Sequence, residues 1–421
     1  MTELFDDLRW RGLVAHATDP QALQADLDHG QLSFYVGFDP TAPSLHMGNL
    51  LQLILARRLQ VAGHRPFLLV GGSTGLIGDP RQSSERNLNP KEVVDAWVER
   101  IRGQVTGFID FNGPNGGQVV NNYDWTKDVQ LLDFLRDVGK HFSVSRMLAR
   151  DVVRNRLESG ISYTEFSYVL LQSFDYLQLH SRHGVRLQTG GSDQWGNITA
   201  GADLIRRVTG DHVHALSTPL VTKADGSKYG KTESGTVWLD PAMTSPYAFH
   251  QFFLNAEDEM VVSYVKLFTT RGREEIAELE RQTAERPQAR AAQRVLADDL
   301  TDLVHSPAER QGATRAAAAL FGGDDLRLLT ADLLEAVAQE LSAPAVPGLE
   351  GSPVVEALVA AGVVASKSAA RRAIDEGGAY LNNVRLSQVE AVVSPADILP
   401  GGFVVLRRGR KTVGLVRAAR A

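Results

Sequence analysis

The hydrophobic pattern changes period early in the chain. Residues 33–38, SFYVGF, form a short apolar and aromatic run with the composition of a buried strand. DPTAPS follows, with Pro40 and Pro43, and is turn chemistry. From Leu50 to Leu59 the apolar residues recur at helical spacing. Arg57 and Arg58 stand near the end of that stretch, where cations suit a helix dipole. Gly63 reads as a stop, and PFLLVGG (66–72) as a second buried strand. The order strand–helix–strand predicts a parallel α/β sheet with a right-handed crossover.

Further along, 91–106 reads as a helix, FNGPNGG (111–117) as a loop and VVNNYDW (119–125) as a strand. Helical patterns run through 128–158 and 163–183. HGVRLQTGGSDQWGN (183–197) reads as a strand, a glycine turn and a helix start, and LSTPLVTKADGSKYGKT (216–232) as a strand and a loop. From 244 to 340 the pattern is almost wholly helical. The proline- and glycine-bearing stretch 341–353 reads as a linker. Residues 354–421 read as two helices (354–361 and 367–376) followed by strands, the last two forming a hairpin that turns at RRGR.

Composition narrows the chemistry. The 421 residues contain no cysteine, which excludes disulfides, thiolate zinc sites and a thiol nucleophile. No HExxH spacing occurs, so any metal is expected to arrive with a substrate. The acidic start MTELFDDLRW lacks the features of a signal peptide, and no apolar run approaches the ~18 residues needed to cross a bilayer. A cytoplasmic location is expected. The net charge of −6 is unevenly spread: residues 351–421 carry 10 Lys and Arg against 5 Asp and Glu, and the remainder 34 against 45. An acidic body with a basic tail suggests that nucleic acid is met partly at the tail, although a solvated charged surface reads the same way.

Two short constellations carry candidate chemistry. In the first, Tyr35-Val-Gly37-Phe-Asp39-Pro-Thr41 leads into His46-Met-Gly48-Asn49, at a strand end that opens a helix. Ligands of open α/β sheets bind beyond the carboxyl ends of the strands, and a helix N-terminus favours a phosphate. Gly37 and Gly48 would let a nucleotide approach the backbone, and Thr41 and His46 could donate to phosphate oxygens. On its own, HxGN is equally a buried helix start in which His46 caps. The second constellation is Gly226-Ser-Lys228-Tyr-Gly230-Lys231-Thr232. It is not a P-loop, because the glycine of GxxxxGK[ST] falls one residue late, with Asp225 in its place. A flexible loop with two lysines suits neutralisation of a triphosphate as pyrophosphate leaves, or else is an exposed surface loop. In YTEFSYVLLQSFDYLQLH, Tyr168, Gln172 and Asp175 share one helical face.

HMGN and KYGKT, about 180 residues apart and in this order, resemble the HIGH and KMSKS signatures of class I aminoacyl-tRNA synthetases. YVGFDPTAPSLHMGN, GLIGDP (75–80), GGSDQWGN (190–197) and KYGKT narrow the resemblance to the bacterial tyrosyl-tRNA synthetases. SKSAARRAIDEGGAYLNNVRL (366–386) is similar to the S4 RNA-binding fold. Nearly the whole chain is covered. One departure is Asn49, where many members have the second His of HIGH.

The resemblance implies an α/β fold: a Rossmann-like parallel-sheet catalytic domain with a dimer-forming insertion (1–235), an α-helical domain (236–340), the linker, and a small α+β S4-like domain (354–421). It implies tyrosine–tRNA ligase activity, with L-tyrosine, ATP carrying Mg2+ and tRNA(Tyr) as substrates, and a homodimer. Tyr168, Gln172 and Asp79 would hold the α-amino group of tyrosine, with Gln194 near its carboxylate. Tyr35 and Asp175 would reach the phenolic hydroxyl, with Gln188 close by. Gly37, Asp39, His46, Gly48, Asn49, Gly191, Asp193 and Lys231 would line the ATP site. Thr41, His46, Lys228, Lys231 and Thr232 would act on the phosphates. Arg371, Arg372, Arg407, Arg408, Arg410 and Lys411 are plausible tRNA contacts. A tryptophanyl-tRNA synthetase and a non-catalytic S4-type RNA-binding protein are the rival readings.

Overall fold

The computed structural model describes residues 3–80, 88–158, 160–232, 235–409 and 412–419. It divides into two compact units: residues 1–240 with 257–292, and residues 241–256 with 293–421.

The first unit is built on a six-stranded sheet of β1 (His16–Ala17), β2 (Ser33–Phe38), β3 (Arg65–Val70), β4 (Gln118–Asn121), β5 (Leu187–Gly191) and β6 (His214–Thr218). The spatial order is β1-β6-β5-β2-β3-β4. All pairings are parallel except that of β1 with β6 at the edge. From β2 the chain steps outward to β3 and β4, then returns to the other side of β2 for β5 and β6. The order therefore reverses between β2 and β5, and the crevice at their carboxyl ends is where such a sheet takes a ligand. The strands are near-continuous apolar runs because helices cover both faces. Phe34, Val36, Phe67, Leu68 and Leu187 are each buried.

The helix Met47–Val61 fills the β2–β3 crossover, as its apolar spacing predicts, and Leu50, Leu53, Leu55 and Leu59 are fully enclosed. Lys91–Thr106 and Tyr163–His183 are helical as expected. Two readings change. The strand expected over 119–125 ends at Asn121, whose Oδ1 accepts from the Tyr123 amide at 2.9 Å and turns the chain into the short helix Tyr123–Thr126. The helical stretch 128–158 is broken into Leu131–Asp137, a 3-10 turn at Gly139–His141, Val144–Leu148 and Asp151–Arg154. Leu131, Leu132, Val144 and Tyr163 are exposed around it.

The lysine segment is more ordered than the flexible loop the sequence suggested. Lys231–Thr232 (β7) pairs with Gly235–Thr236 (β8), and Thr222 bridges Lys228. Lys223 and Ser227 close the tip through a 2.8 Å backbone bond, with Gly226 at φ +81°.

In the second unit, β9 (Ala345–Val346), β10 (Ala379–Leu381), β11 (Val384–Arg385), β12 (Phe403–Arg408) and β13 (Thr412–Ala418) form one sheet in the order β11-β10-β12-β13-β9. Alternate residues of β12 enter different cores. Phe403 and Val405 pack with Leu320, Leu334 and Val337, and Val404 and Leu406 with Val354, Leu358 and Ile374. The segment 341–353 is not a free tether, because β9 pairs in parallel with β13 and Leu349 is 1% exposed. A two-residue strand is too short to leave a periodic signal, so proline and glycine alone suggested a linker. No helix among the described residues is long and apolar enough to cross a membrane.

Candidate active site at the switch point of the sheet

Tyr35 of β2 and Gln188 of β5 are register partners and face the same side of the sheet. Tyr35 is 1% and Gln188 2% exposed, and neither the Tyr35 hydroxyl nor Gln188 Oε1 has a hydrogen-bond partner. Gln172 Oε1, on the helix Tyr163–His183, is a third such atom. Buried polar groups are normally paired, and an orphan costs about 1–3 kcal/mol. Tyr35 and Gln188 thus leave unpaired buried polar atoms on one face of the β2–β5 pair, and Gln172 leaves a third on the helix that carries Asp175.

Asp175, one turn beyond Gln172, is also buried, at 3% exposure. Its Oδ1 accepts from Trp125 Nε1 at 2.8 Å and its Oδ2 from Asn122 Nδ2 at 3.0 Å. Burial pushes its carboxyl up to about 7, although the Asn122 and Trp125 bonds pull the other way. The Tyr35 phenol is raised well above its ordinary value, first by burial and then by the charge of Asp175. Tyr35 and Asp175 are therefore electrostatic neighbours. Asn122 and Trp125, which hold the acid in place, were missed; Asn122 reads simply as a turn residue after a strand.

Asp39 stands just past β2. The Tyr168 hydroxyl donates to its Oδ2 at 2.6 Å and Thr74 Oγ1 to its Oδ1 at 2.7 Å. Asn122 Nδ2 donates to Thr74 Oγ1 at 3.0 Å as well as to Asp175. A hydrogen-bonded chain thus runs from Tyr168 through Asp39, Thr74 and Asn122 to Asp175. Gly71 makes room for it, since a Cβ there would lie 2.2 Å from Thr74 Oγ1 and 2.3 Å from Asp39 Oδ1.

Asp79 anchors a second cluster. Gln194 Nε2 donates to its Oδ2 at 2.7 Å and Asn197 Nδ2 to its Oδ1 at 3.2 Å. Arg150 donates to Asn197 in turn. Burial raises the Asp79 carboxyl, opposed by the Gln194 and Asn197 bonds. Asn197 closes the GGSDQWGN motif without having been given a role, and Arg150 carried no sequence signal. Gly191 lies beneath Asp193, whose Oδ1 would be 2.5 Å from a Cβ at 191.

His46 is the N-cap of Met47–Val61. Its Nδ1 accepts from the Gly48 amide at 3.0 Å, and Asn49 Oδ1 accepts from the His46 amide at 3.1 Å, a reciprocal capping box. A Cβ at Gly48 would lie 2.8 Å from His46 Cε1, so this glycine admits the ring that caps the helix. The capping reading of HxGN therefore holds, and it does not exclude the other. With Nδ1 accepting, the neutral ring carries its proton on Nε2. Burial lowers the His46 pKa, and the charges of Lys231 and Lys228 lower it further. Both lysines are exposed and within electrostatic reach of the helix start. The Met47 amide donates to Val237 O at 3.0 Å, and His46 bridges Trp238, which ties the lysine hairpin to that start. Gly37 and Thr41 are exposed at the strand end beside it. The side chain of Thr232 lies outside the described residues.

In the second unit Arg371 and Arg372 are exposed on the helix Lys367–Asp375. Arg407 lies 4.6 Å over the Tyr380 ring, and Arg408 is exposed at the end of β12. Arg410 and Lys411 lie outside the described residues.

Residues 27–322 match the family model described as tRNA synthetases class I (W and Y), and residues 335–416 match the tyrosine–tRNA ligase SYY-like C-terminal domain. The tyrosine–tRNA ligase of Cutibacterium acnes is 61% identical over 414 residues, covering 98% of this chain and 99% of that protein. The chain belongs to the bacterial tyrosyl-tRNA synthetase family. The corresponding ligase of Kineococcus radiotolerans is 57% identical over 99% of both chains. Among solved structures, the C-terminally truncated mitochondrial tyrosyl-tRNA synthetase of Coccidioides posadasii matches with a TM-score of 0.67 and 31% identity, over 75% of this chain and 92% of that one.

Proposed function

We propose that the Tyr35–Asp175 pocket receives the side chain of tyrosine and that the His46 helix start with the lysine hairpin receives ATP. The chain is a tyrosine–tRNA ligase, an aminoacyl-tRNA synthetase that uses ATP with Mg2+. The observation that carries the residue assignment is the orphaned buried set at the β2–β5 switch point. A phenolic hydroxyl would supply the Tyr35 hydroxyl with the partner it lacks and would donate to Asp175 beside its Asn122 and Trp125 bonds, and phenylalanine would leave Tyr35 unsatisfied. An indole has no hydroxyl to offer, which disfavours tryptophan on the same ground.

In the first step the tyrosine carboxylate attacks the α-phosphorus of ATP, and pyrophosphate leaves. The carboxylate is already a nucleophile, so the residues need only position and stabilise charge. His46 Nε2–H, Thr41, Lys228, Lys231 and Thr232 are the groups proposed to meet the phosphates. Gly37, Gly48, Gly191, Asp39 and Asp193 frame the nucleotide. Asn49 contributes through the helix cap, so its acceptor oxygen serves His46 rather than the ribose. Tyr168, Gln172 and Asp79 are assigned to the α-amino group, Gln194 to the neighbourhood of the carboxylate, and Gln188 to the phenolic end beside Tyr35. Asp79 supplies the carboxylate that an ammonium needs. In the second step a terminal ribose hydroxyl of tRNA attacks the adenylate.

Arg371, Arg372, Arg407, Arg408, Arg410 and Lys411 are proposed to contact tRNA phosphates. A homodimer is proposed because Leu131 (71% exposed), Leu132 (79%), Val144 and Tyr163 (70%) leave a large apolar surface around the broken helical segment. The reaction needs ATP and tRNA, so the location is taken as cytoplasmic. Pyrophosphate exchange with each of the twenty amino acids tests the specificity. Exchange supported by tyrosine alone is expected; exchange supported best by tryptophan would overturn the assignment.

A further inference from the structure

The lysine hairpin is held from behind by three contacts that phosphate chemistry does not require. The Tyr229 ring, between the two glycines of the signature, stacks on Tyr264 with centroids 4.1 Å apart and an interplanar angle of 26°. The Tyr264 hydroxyl donates to Thr222 O at 2.7 Å. Glu257 Oε2 accepts from the Ala224 amide, at the hairpin tip, at 2.8 Å. Tyr264 lies on the helix Asp258–Phe268, and Glu257 is the residue that begins it. One helix thus grips both arms and the tip of the hairpin. Its far end is itself fixed: Arg11 donates to the carbonyls of Lys266, Thr269 and Arg271 at 3.3, 3.3 and 2.8 Å.

The two stacked rings are buried and the lysine beside them is not. Tyr264 is 1% exposed, and Tyr229 is almost fully buried while Lys228 beside it is exposed. Tyr229 sits in the turn between the Lys228 bridge and β7, so its buried ring anchors the backbone between the exposed Lys228 and Lys231. Gly230 presses on Met47, with a would-be Cβ 2.6 Å from Met47 Cβ, so the other side of the hairpin abuts the helix start capped by His46.

We infer that Tyr264, seconded by Glu257, is a positioning residue that sets the lysine hairpin at the nucleotide site. Tyr264 touches no substrate; it acts through Lys228 and Lys231, and so the inference rests on the phosphate-facing reading of those lysines. A displacement of about 1 Å at a group that stabilises developing charge costs up to about 10²-fold in rate. None of the supports named here is made by Tyr35, Gln172 or Asp175.

The test uses the full-length enzyme carrying Tyr264→Ala, Tyr264→Phe, Glu257→Ala or Lys231→Ala. Rapid-quench rates of tyrosyl-adenylate formation, ATP KM, tyrosine affinity and trypsin cleavage at Lys223, Lys228 and Lys231 are read for each. Tyr264→Ala should slow adenylate formation by roughly 10- to 100-fold or raise ATP KM by a similar factor. It should leave tyrosine affinity within about twofold and expose the hairpin to trypsin. Tyr264→Phe, which keeps the stack and loses only the bond to Thr222, should recover most of the rate. If Tyr264→Ala proves unstable, Glu257→Ala, at an exposed position, should show the same split in milder form. Wild-type rate and ATP KM in Tyr264→Ala, or in Glu257→Ala where that variant stands in, overturn the inference. A slow Lys231→Ala beside a normal Tyr264→Ala rejects the positioning role alone, and a normal Lys231→Ala rejects the reading of the lysines on which it stands.

Discussion

The Tyr168 hydroxyl donates to Asp39 Oδ2 at 2.6 Å, joining a helix assigned to tyrosine recognition with a strand end assigned to ATP. A phenol–carboxylate bond of this length is charge-assisted and stronger than a neutral one. The same carboxylate takes Thr74 on its other oxygen and, through Asn122, communicates with Asp175. The two half-sites therefore share one polar spine.

Tyr168→Phe breaks that spine at its end. The variant should raise the KM for tyrosine and for ATP together, each by roughly 10- to 100-fold, the worth of about 1.5–3 kcal/mol for a lost bond to a charged group. Steady-state pyrophosphate exchange with either substrate varied checks this. A rise confined to tyrosine would show that Asp39 is held independently.

Asp175 gives a pH signature. Its carboxyl stands at about 7 in the folded protein against an ordinary 3.8, because burial disfavours the charge. Between those values the folded state binds more protons than the unfolded state, so stability falls as pH rises. The penalty is absent below about 4 and complete above about 7. Urea denaturation of the free enzyme should therefore show wild type losing ground to Asp175→Asn from pH 4 to 7 and running parallel to it above. A constant gap across that window would mean that the carboxyl is not strained by burial.

Lys231→Ala should lower the rate of adenylate formation by roughly 10²-fold with little change in tyrosine affinity, because its charge matters only as pyrophosphate departs. Single-turnover kinetics separate the two quantities. An effect purely on KM would assign the lysine to ground-state binding.

Arg371→Ala with Arg372→Ala should weaken tRNA aminoacylation, most clearly at low salt and with a shallower salt dependence than wild type, and leave pyrophosphate exchange at the wild-type level. Point variants suit this question better than removal of residues 351–421, because β12 and β13 also complete the core formed with Leu320, Leu334 and Val337. Equal loss of both activities would contradict the division of labour.

Much of this was legible in the sequence, for a physical reason. The strand SFYVGF, the helix after it and the capping His46–Asn49 are local features, set by residues a few positions apart. The shared face of Tyr168, Gln172 and Asp175 follows from helical spacing alone. What stayed hidden depends on tertiary pairing. Asn122 and Trp125 lie some 50 positions from the acid they hold, Arg150 and Asn197 meet only after folding, and β9 is two residues long. The lysine segment looked flexible because its order comes from Tyr264 and Val237, neither of which its own composition announces.

The most direct measurement compares tyrosine with phenylalanine as substrate for pyrophosphate exchange by the enzyme carrying Tyr35→Phe and Asp175→Ala. Removing both partners of the phenolic hydroxyl should collapse the preference for tyrosine, by roughly ten- to a hundredfold for each group removed. Unchanged selectivity would mean that the substrate hydroxyl is read elsewhere, and the pocket assigned to Tyr35 and Asp175 would be wrong.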